Sequence, residues 1–223
     1  MRYLNSNAYF LKKVNISFLI KLPAVKDVWL FNCIEGSQSN LLSQSFKINN
    51  LSKIIIPDLH ISSISGLLGL LSTLNLIGRI KALHIYAPID LKHYLDLGKK
   101  YSKTSFSYIL YIHSLHNGLI INEYSCRIYA INHHDIYEFF IVRPEKHGTF
   151  HLDKAKQNYL LPGPLYGKLK KGFSFLFPDG FILNGYHFTS SNIPGYQICC
   201  LFSSFYRRKI VESIRVSRVV LFI

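Results

Sequence analysis

The fold of this chain is decided by residues 53–79, which have the sequence KIIIPDLHISSISGLLGLLSTLNLIGR. At its start, Lys53–Ile56 is a lysine followed by a β-branched apolar run, which predicts a strand buried on both faces. Pro57 ends this strand, Asp58–Ser63 predicts a polar turn, and Gly66–Leu71 predicts a helix that packs back on the sheet. Strand, polar turn and helix form the arrangement in which α/β folds place ligand sites, so the sequence predicts an α/β fold.

Segments on both sides of this stretch predict further elements of the same fold. They are a hairpin from residues 14–22 and Asp27–Phe31, a strand at Leu83–Pro88, a helix at Ile89–Leu97, two or three strands within residues 101–131, and a helix and a strand within residues 209–223. Within this pattern we interpret His84 and His93 as structural histidines rather than metal ligands.

Charge and composition restrict the kind of protein. Lys and Arg number 26 against 12 Asp and Glu, so the formal net charge is +14 at pH 7. Apolar residues make up 49% of the chain, which excludes a disordered protein. A basic chain with 14% aromatic residues is typical of a protein that binds a polyanion such as nucleic acid. A basic composition without that function is the alternative interpretation.

The four cysteines, Cys33, Cys126, Cys199 and Cys200, have no CxxC spacing. This argues against a zinc ribbon and against a thioredoxin-type redox pair, and it predicts reduced, partly buried thiols. The first residues contain no basic segment followed by an apolar segment and a cleavage site, and the apolar runs are too short to span a bilayer. We therefore expect neither a secretory signal nor a membrane segment.

Two segments resemble ribonuclease Z, the metallo-β-lactamase-fold endonuclease that trims transfer-RNA 3′ ends. Residues 29–38, WLFNCIEGSQ, are similar to the family segment WLFDCGEGTQ, and residues 58–63, DLHISS, stand where the family has the metal motif HxHGDH. The helix that follows is similar to the family segment GLPGLL. Further segments that are similar to this family are Leu83–Pro88, Tyr129–His134 and Gly195–Leu201.

The longest resemblance to ribonuclease Z lies further along the chain. Residues 148–156, GTFHLDKAK, residues 161–172, LPGPLYGKLKKG, and residues 178–180, PDG, are similar to the arm with which this family holds transfer RNA. The prolines and glycines of this segment predict a fixed, irregular backbone. Salt-sensitive, sequence-independent binding of phosphates is expected from its lysines, with a solvated basic hairpin as the alternative interpretation. These lysines are Lys154, Lys156, Lys168, Lys170 and Lys171.

The resemblance implies two metal sites in which most ligands are replaced. The first site falls on Asp58, His60, His133 and Ser203. The second falls on Ser62, Ser63 and Ser203, together with a family histidine beyond the matched segments. Three protein donors and a water can hold zinc, so we expect zero or one zinc, held by Asp58, His60 and His133. Ser62 stands where the family has its general-base Asp, so no catalytic residue is retained.

The resemblance also implies the fold and the functional class. We expect one ribonuclease Z-like domain over residues 1–223, an αβ/βα metallo-β-lactamase-like sandwich that is C-terminally truncated and has a protruding basic arm at about residues 144–185. The implied function is tRNA 3′-end maturation, the endonucleolytic removal of the 3′ trailer, with activity impaired by the lost ligands. A non-catalytic tRNA-binding pseudoenzyme and a decaying reading frame are the alternatives, so whether the chain is an enzyme stays open.

The expected partners are a tRNA precursor and a second subunit. Because family members pair so that the arm of one subunit holds tRNA for the site of the other, we expect a homodimer or a heterodimer with an intact homologue. Abundant Ile, Lys, Asn, Tyr and Phe with little Ala is typical of an A+T-rich genome such as that of an organelle. Together with the resemblance to shortened ribonuclease Z-like proteins of algal plastids, and with an N-terminus that shows no transit segment, this predicts a plastid protein.

Overall fold

A computed structural model gives the fold of the chain. It describes residues 2–3, 11–12, 17–22, 26–43, 47–123, 126–133, 135–178, 180–201, 217 and 219–222. The chain divides into two compact units, of which one is Arg143–Tyr196 and the other comprises Met1–Val142 and Gln197–Ile223. The position of Ser203 and the helix predicted after residue 209 lie outside the described residues.

The larger unit contains two six-stranded sheets. From edge to edge, the first sheet consists of β1 (Arg2–Tyr3), β3 (Phe18–Leu22), β4 (Asp27–Phe31), β5 (Leu51–Ile55), β6 (Leu83–Ala87) and β7 (Leu110–Ser114). Strands β3 and β4 form the predicted hairpin and are antiparallel, whereas β4, β5, β6 and β7 run parallel to one another. The strand predicted at Lys53–Ile56 is therefore confirmed in the centre of the sheet, with its ends displaced by one or two residues.

The second sheet combines three strands from the middle of the chain with strands from near both of its ends. Its order is β2 (Leu11–Lys12), β14 (Val219–Phe222), β13 (Tyr196–Leu201), β10 (Ile136–Arg143), β9 (Cys126–His133) and β8 (Gly118–Glu123). Strands β8, β9 and β10 form an antiparallel meander. Strand β14 lies between β13 and β2 and is parallel to both, so both of its edges are paired.

Four described helices belong to the larger unit. They are α1 (Ser37–Leu42), α2 (Ile61–Ile64), α3 (Leu67–Leu76) and α4 (Leu91–Ser102), with a 3₁₀ turn at Ile48–Asn50. Helix α2 differs from the prediction, because Asp58–Ser63 was expected to be a turn throughout. The physical reason is that His60 provides an N-cap for a single helical turn, a local hydrogen bond that apolar periodicity does not reveal.

The core shows how these elements are layered. Helices α3 and α4 pack on one face of the first sheet, where Leu70 and Leu91 belong to the same buried cluster as Ile54 and Ile85. The opposite face of this sheet meets the second sheet, as the Phe31 ring of β4 contacts the Phe139 ring of β10 with their centroids 5.8 Å apart. A helical layer and two facing sheets make up three layers of the expected αβ/βα sandwich.

The smaller unit has secondary structure and a core of its own. Its elements are α5 (Leu152–Gln157), α6 (Pro164–Lys170), β11 (Ser174–Leu176), β12 (Ile182–Asn184) and a 3₁₀ turn at Gly185–Phe188. Ala155, Leu169, Leu183 and Phe188 form its buried cluster. The irregular backbone predicted around residues 161–172 is wrong in part, because Pro164 occupies the first turn of α6, where a proline lacking an N–H costs no hydrogen bond.

Two simpler expectations can also be compared with the structure. All four cysteines are fully buried, whereas the sequence predicted thiols that are only partly buried. Burial raises the pKa of the Cys33 thiol to about 12, so this thiol stays protonated near neutral pH. None of the helices in the described part of the chain has the length and apolar character that crossing a membrane would need.

Candidate functional site

The segment after β5 lies at the carboxyl end of the first sheet, where the sequence predicts a site. The backbone N–H of Ile56 donates to the carbonyl of Tyr86 at 2.8 Å, and that of Tyr137 donates to the carbonyl of Pro57 at 3.0 Å. These bonds hold the segment to β6 and to β10 of the second sheet. Asp58 therefore follows a fixed point of the backbone, at the end of a parallel sheet where α/β proteins bind ligands.

Local hydrogen bonds set the roles of Asp58 and His60. Oδ1 of Asp58 accepts from the backbone N–H of His60 at 3.1 Å. His60 is the N-cap residue of α2, and its Nδ1 accepts from the backbone N–H of Ser62 at 3.3 Å and lies 2.7 Å from Ser62 Oγ. A neutral ring in which Nδ1 accepts from a backbone N–H carries its proton on Nε2. In this arrangement His60 caps a helix, and its second ring nitrogen, Nε2, takes no part in the cap.

Ser62 and Ser63 lie in α2, against the other segment that resembles ribonuclease Z. The backbone N–H of Cys33 donates to the carbonyl of the buried Ser63 at 3.0 Å, and the N–H of Gly66 donates to the carbonyl of Cys33 at 3.0 Å. A Cβ on Gly66 would clash with the carbonyl oxygen of Ile34. Glycine at this position therefore lets the two motif segments pack together.

His133 is the last residue of β9 and is held by a buried carboxylate. Its Nε2 lies 3.4 Å from Oε2 of Glu138 on β10, and the Glu138 side chain is 2% exposed. In the hairpin register His133 pairs with Ile136, and Glu138 pairs with Ile131, so His133 and Glu138 are diagonal neighbours. A carboxylate next to an imidazole fixes the orientation of the ring. His133 is therefore a well-positioned side chain at the strand end.

Together these contacts test whether the predicted ligands fit a metal centre. The predicted zinc ligands are Asp58, His60 and His133. Among the described residues, no three side chains of His, Cys, Asp or Glu are grouped as a metal site requires. Ser62 and Ser63 offer only neutral hydroxyls, which are poor zinc ligands beside carboxylate, imidazole or thiolate. The donors in the described part of the chain do not fit a dinuclear centre, and a single zinc at the three predicted residues stays a prediction.

A cavity of about 480 Å³ opens near the same end of the first sheet. Its lining residues are Leu59, Pro88, Ile89, Asp90, Ser114, Leu115, Asn132, Asp135 and Tyr137. Two carboxylates, those of Asp90 and Asp135, contribute the charge of this lining, and no Lys or Arg belongs to it in the described part of the chain. A cavity with this negative potential disfavours a phosphate group. The described lining of this cavity thus offers no lysine or arginine to an RNA backbone.

A pair of histidines joins β6 and β7 on the sheet face opposite the helices. His84 Nδ1 lies 2.9 Å from His113 Nε2, and their rings are stacked with centroids 5.2 Å apart. Burial lowers the pKa of both histidines, and the nearby ammonium of Lys53 lowers each pKa further. Both rings are therefore neutral near pH 7 and share one hydrogen bond. This agrees with the interpretation of His84 as a structural histidine.

All five lysines that the sequence predicts to bind RNA are exposed in the smaller unit. Lys154 and Lys156 lie on α5, Lys168 and Lys170 lie on α6, and Lys171 follows α6 directly. The unit Arg143–Tyr196 contains seven Lys or Arg and three Asp or Glu. Exposure leaves these ammonium groups available to phosphates, and RNA binding by them stays a prediction.

Sequence reasoning missed Glu138 and the two carboxylates of the cavity. Glu138 lies between Tyr137 and Phe139 in a strand whose other residues are mostly apolar, and it is 1% exposed. A carboxylate at an inward position of such a strand was the available signal, because buried acidic side chains need a partner. Asp90 and Asp135 could not be recognised in the sequence in this way, because both are exposed residues next to turns.

The fold and the site define the class of the protein before any relative is considered. The chain has two facing sheets, with helices on the outer face of the first sheet and a motif segment after a central strand. This arrangement is that of a metallo-β-lactamase-like αβ/βα protein. Sequence comparisons place it more narrowly. The chain is 38% identical over 192 residues to the ycf56 protein of Pyropia yezoensis, across 84% of this chain and 73% of that one. It is 36% identical over 195 residues to ycf56 of Porphyra purpurea, across 86% and 74%.

Relatives named ribonuclease Z align as well. The chain is 33% identical over 208 residues to ribonuclease Z of Acaryochloris marina, across 92% of this chain and 66% of that protein. It is 35% identical over 172 residues to ribonuclease Z of Nostoc sp., across 76% and 53%. No protein-family model matches the chain. The chain is a ribonuclease Z-like protein, and the two ycf56 proteins are its relatives over about three quarters of their length.

Solved structures similar to this chain include tRNase Z enzymes. The short form of human tRNase Z has a TM-score of 0.49 and 20% sequence identity, over 61% of each chain. The long form of RNase Z from yeast also has a TM-score of 0.49, with 15% identity over 92% of this chain and 30% of that one. The chain spans between about half and two thirds of the ribonuclease Z relatives that it matches, and about three quarters of the two ycf56 proteins.

Proposed function

We propose that this protein acts in tRNA 3′-end maturation as an RNA-binding member of the ribonuclease Z-like family, without a dinuclear hydrolytic centre of its own. The observation that carries the proposal is the contrast between its two units. The unit Arg143–Tyr196 presents five exposed lysines on a folded frame. The predicted metal positions offer Ser62 and Ser63 in place of strong ligands, beside a cavity with two carboxylates.

Binding would come from charge on a rigid frame. Tyr166 Oη donates to the carbonyl of Leu160 at 2.6 Å, which holds α6 against the chain after α5. Gly185 lies so close to α6 that a Cβ there would be 2.5 Å from the carbonyl oxygen of Leu169. Lysines held by such a frame lose little further backbone entropy on binding, and each phosphate they contact releases counterions from the RNA.

Cleavage would come from a different subunit. In the ribonuclease Z family the arm of one subunit holds tRNA for the site of its partner, so an intact homologue paired with this chain would supply the metal centre. The relatives of this chain are red algal and cyanobacterial proteins, which supports a plastid location. In this role the protein presents a tRNA precursor and the partner removes the 3′ trailer.

The test is the salt dependence of binding to precursor tRNA. Replacing Lys168, Lys170 and Lys171 together by Ala should weaken binding to several tRNAs alike. The slope of log K against log salt should flatten by roughly 2 to 3, about 0.7 to 0.9 for each lost phosphate contact. The matched control replaces the exposed Lys47, Lys81 and Lys92 of the larger unit by Ala, which removes the same charge.

The control separates local contacts from total charge. Under the proposal the control triple variant keeps nearly the wild-type slope and affinity. Equal losses in both triple variants would mean that binding follows net charge alone, and the role of the smaller unit would be wrong. Efficient 3′ cleavage by the purified chain, abolished by His60→Ala or His133→Ala, would overturn the non-catalytic part of the proposal.

A further inference from the structure

The smaller unit contains a cavity that the lysine surface does not explain. Its volume is about 380 Å³, within the range of pockets that hold small molecules. It lies between α5, the chain around β12 and the 3₁₀ turn Gly185–Phe188. All of its lining residues belong to the unit Arg143–Tyr196, so the cavity is complete within that unit.

One cation is fixed at this cavity. Lys154 Nζ donates to the carbonyl of His187 at 3.3 Å, and both residues line the cavity. This bond uses one of the three ammonium donors and leaves two for an anion. No Asp or Glu lines the cavity in the described part of the chain, and Lys154 gives that described lining a positive charge. The cavity therefore suits a phosphate, unlike the cavity beside Asp90 and Asp135.

Three amide side chains line the same cavity. Asn158 Nδ2 donates to the carbonyl of Lys154 at 2.8 Å, which leaves its Oδ1 as an acceptor. Asn184 Oδ1 accepts from the backbone N–H of Tyr186 at 3.0 Å, which leaves its amide hydrogens as donors. Gln157 makes no side-chain hydrogen bond among the described residues and offers both. Mixed donors and acceptors on planar amides match the edges of nucleobases.

An aromatic ring completes the lining. Phe181 is 54% exposed, and its ring centroid lies 6.5 Å from that of Phe177, with the ring planes 41° apart. Phe177 thus supports the ring from one side. A phenylalanine that is half exposed at the wall of a polar cavity is a platform on which an unpaired base can stack, since every base has a π-face.

We propose that this cavity binds one unstacked nucleotide of the RNA, with its phosphate at Lys154, its base on Phe181 and its base edge at the amides of Gln157, Asn158 and Asn184. This rests on the proposed function, since it assumes that the unit meets RNA. Binding of a nucleotide in this cavity would add a contact to the RNA that depends on stacking and hydrogen bonding rather than on charge alone. A free nucleotide has the same chemistry, and the experiment distinguishes the two sources.

The experiment measures binding of a precursor tRNA to the full chain and its variants over a range of salt concentrations. Phe181→Ala should lower the affinity about tenfold, and Gln157→Ala about fivefold, while the salt slope stays unchanged because no phosphate contact is lost. The matched control is Phe173→Ala, which removes another phenylalanine of the unit that is 58% exposed but does not line the cavity. It should bind like the wild type.

The outcomes separate this inference from the proposed function. If the wild-type chain binds no tRNA, the proposed function fails. If tRNA binding depends on Lys168, Lys170 and Lys171 but not on Phe181 or Gln157, the proposed function stands and the nucleotide pocket is wrong. Equal losses with Phe173→Ala and Phe181→Ala would also overturn the pocket. Gln157 lies exposed on α5, so its variant tests the pocket even if Phe181→Ala fails to fold.

A second arm of the experiment distinguishes the source of the nucleotide. AMP, CMP, GMP and UMP are titrated separately into the full chain. Weak, millimolar binding that competes with tRNA and is lost in Phe181→Ala supports a nucleotide within RNA. Tight binding of one mononucleotide that leaves tRNA binding unaffected would make the cavity a small-molecule site and overturn the proposal.

Discussion

At the scale of the residue, His60 combines a predicted ligand position with a helix cap. Its Nδ1 accepts from the backbone N–H of Ser62 and lies next to Ser62 Oγ, so the ring caps α2. A metal-binding histidine usually binds the ion with one ring nitrogen and donates the N–H of the other to an acceptor. For a metal at Nε2 of His60, Nδ1 would therefore be a donor, not an acceptor. An aspartate at the position of Ser62, as in the family motif, could only accept from the ring when ionised, whereas a serine hydroxyl can donate to Nδ1 or accept from it.

The first prediction separates the two roles of His60. His60→Ala removes the cap and should lower the free energy of unfolding by about 0.5 to 1 kcal/mol, whereas His60→Asn supplies another capping acceptor and should remain near the wild type. Urea unfolding followed by circular dichroism measures both values. Zinc content, measured in parallel, should be the same in the two variants. Equal destabilisation of both variants, with zinc lost from each, would show that His60 is a ligand.

At the scale of the element, Lys53 links the two sheets. Its Nζ lies 2.8 Å from Oε2 of Glu123, joining β5 of the first sheet to β8 of the second. It also lies 5.4 Å from the centroid of the Trp29 ring. Lys53 is 5% exposed, so its charge depends on these neighbours. Strand β5, which was predicted from its apolar residues, therefore also carries a buried charged side chain.

The second prediction concerns this pair. Glu123→Gln leaves a buried ammonium without its counter-charge, and we expect it to lower the free energy of unfolding by about 1 to 3 kcal/mol. The double variant Lys53→Met, Glu123→Gln should recover most of that loss, because no unpaired charge remains. Thermal and urea unfolding measure the cycle. Glu145→Gln, which changes an exposed carboxylate, serves as the control and should have no effect.

Elements were predictable where side-chain periodicity determines them. The central strand, the first hairpin, the strand at β6 and the strand after residue 218 follow from apolar runs, and the structure confirms them. Helix α2 and the start of α6 were not predicted. The first is a single turn that depends on the ring of His60, and the second begins in a PGP segment that is also typical of loops. Capping and N1 proline effects are local, so they leave no period in the sequence.

At the scale of the whole molecule, the sequence identifies the family better than the site. Long ordered matches such as residues 29–38 depend on the frame of the fold, which the structure retains. The site depends on a few side chains brought together by distant segments. The contact of His133 with Glu138 is set by the register of a hairpin, and the cavity of the smaller unit by the meeting of α5 with β12. Neither is encoded in a contiguous motif.

The last prediction follows from the donor set of the whole chain. Because the resemblance assigns neutral serines to three metal positions, Ser62, Ser63 and Ser203, and no three strong donors are grouped among the described residues, purified protein should contain well under one zinc per chain. A zinc-selective chelator, added with Mg²⁺ present to keep tRNA folded, should change neither the unfolding temperature nor the affinity for precursor tRNA. A protein that gains stability from bound zinc would lose it under the same treatment.

The measurement combines metal analysis with thermal unfolding and tRNA binding on one preparation. The positive control is ribonuclease Z of Nostoc sp., a relative that is 35% identical to this chain over 172 residues. Two tightly held zinc ions in the present chain would show that the alignment of Asp58, His60 and Ser62 with the family motif is wrong. One zinc that the chelator removes without loss of tRNA affinity would instead agree with the predicted maximum of one ion and would separate metal binding from RNA binding.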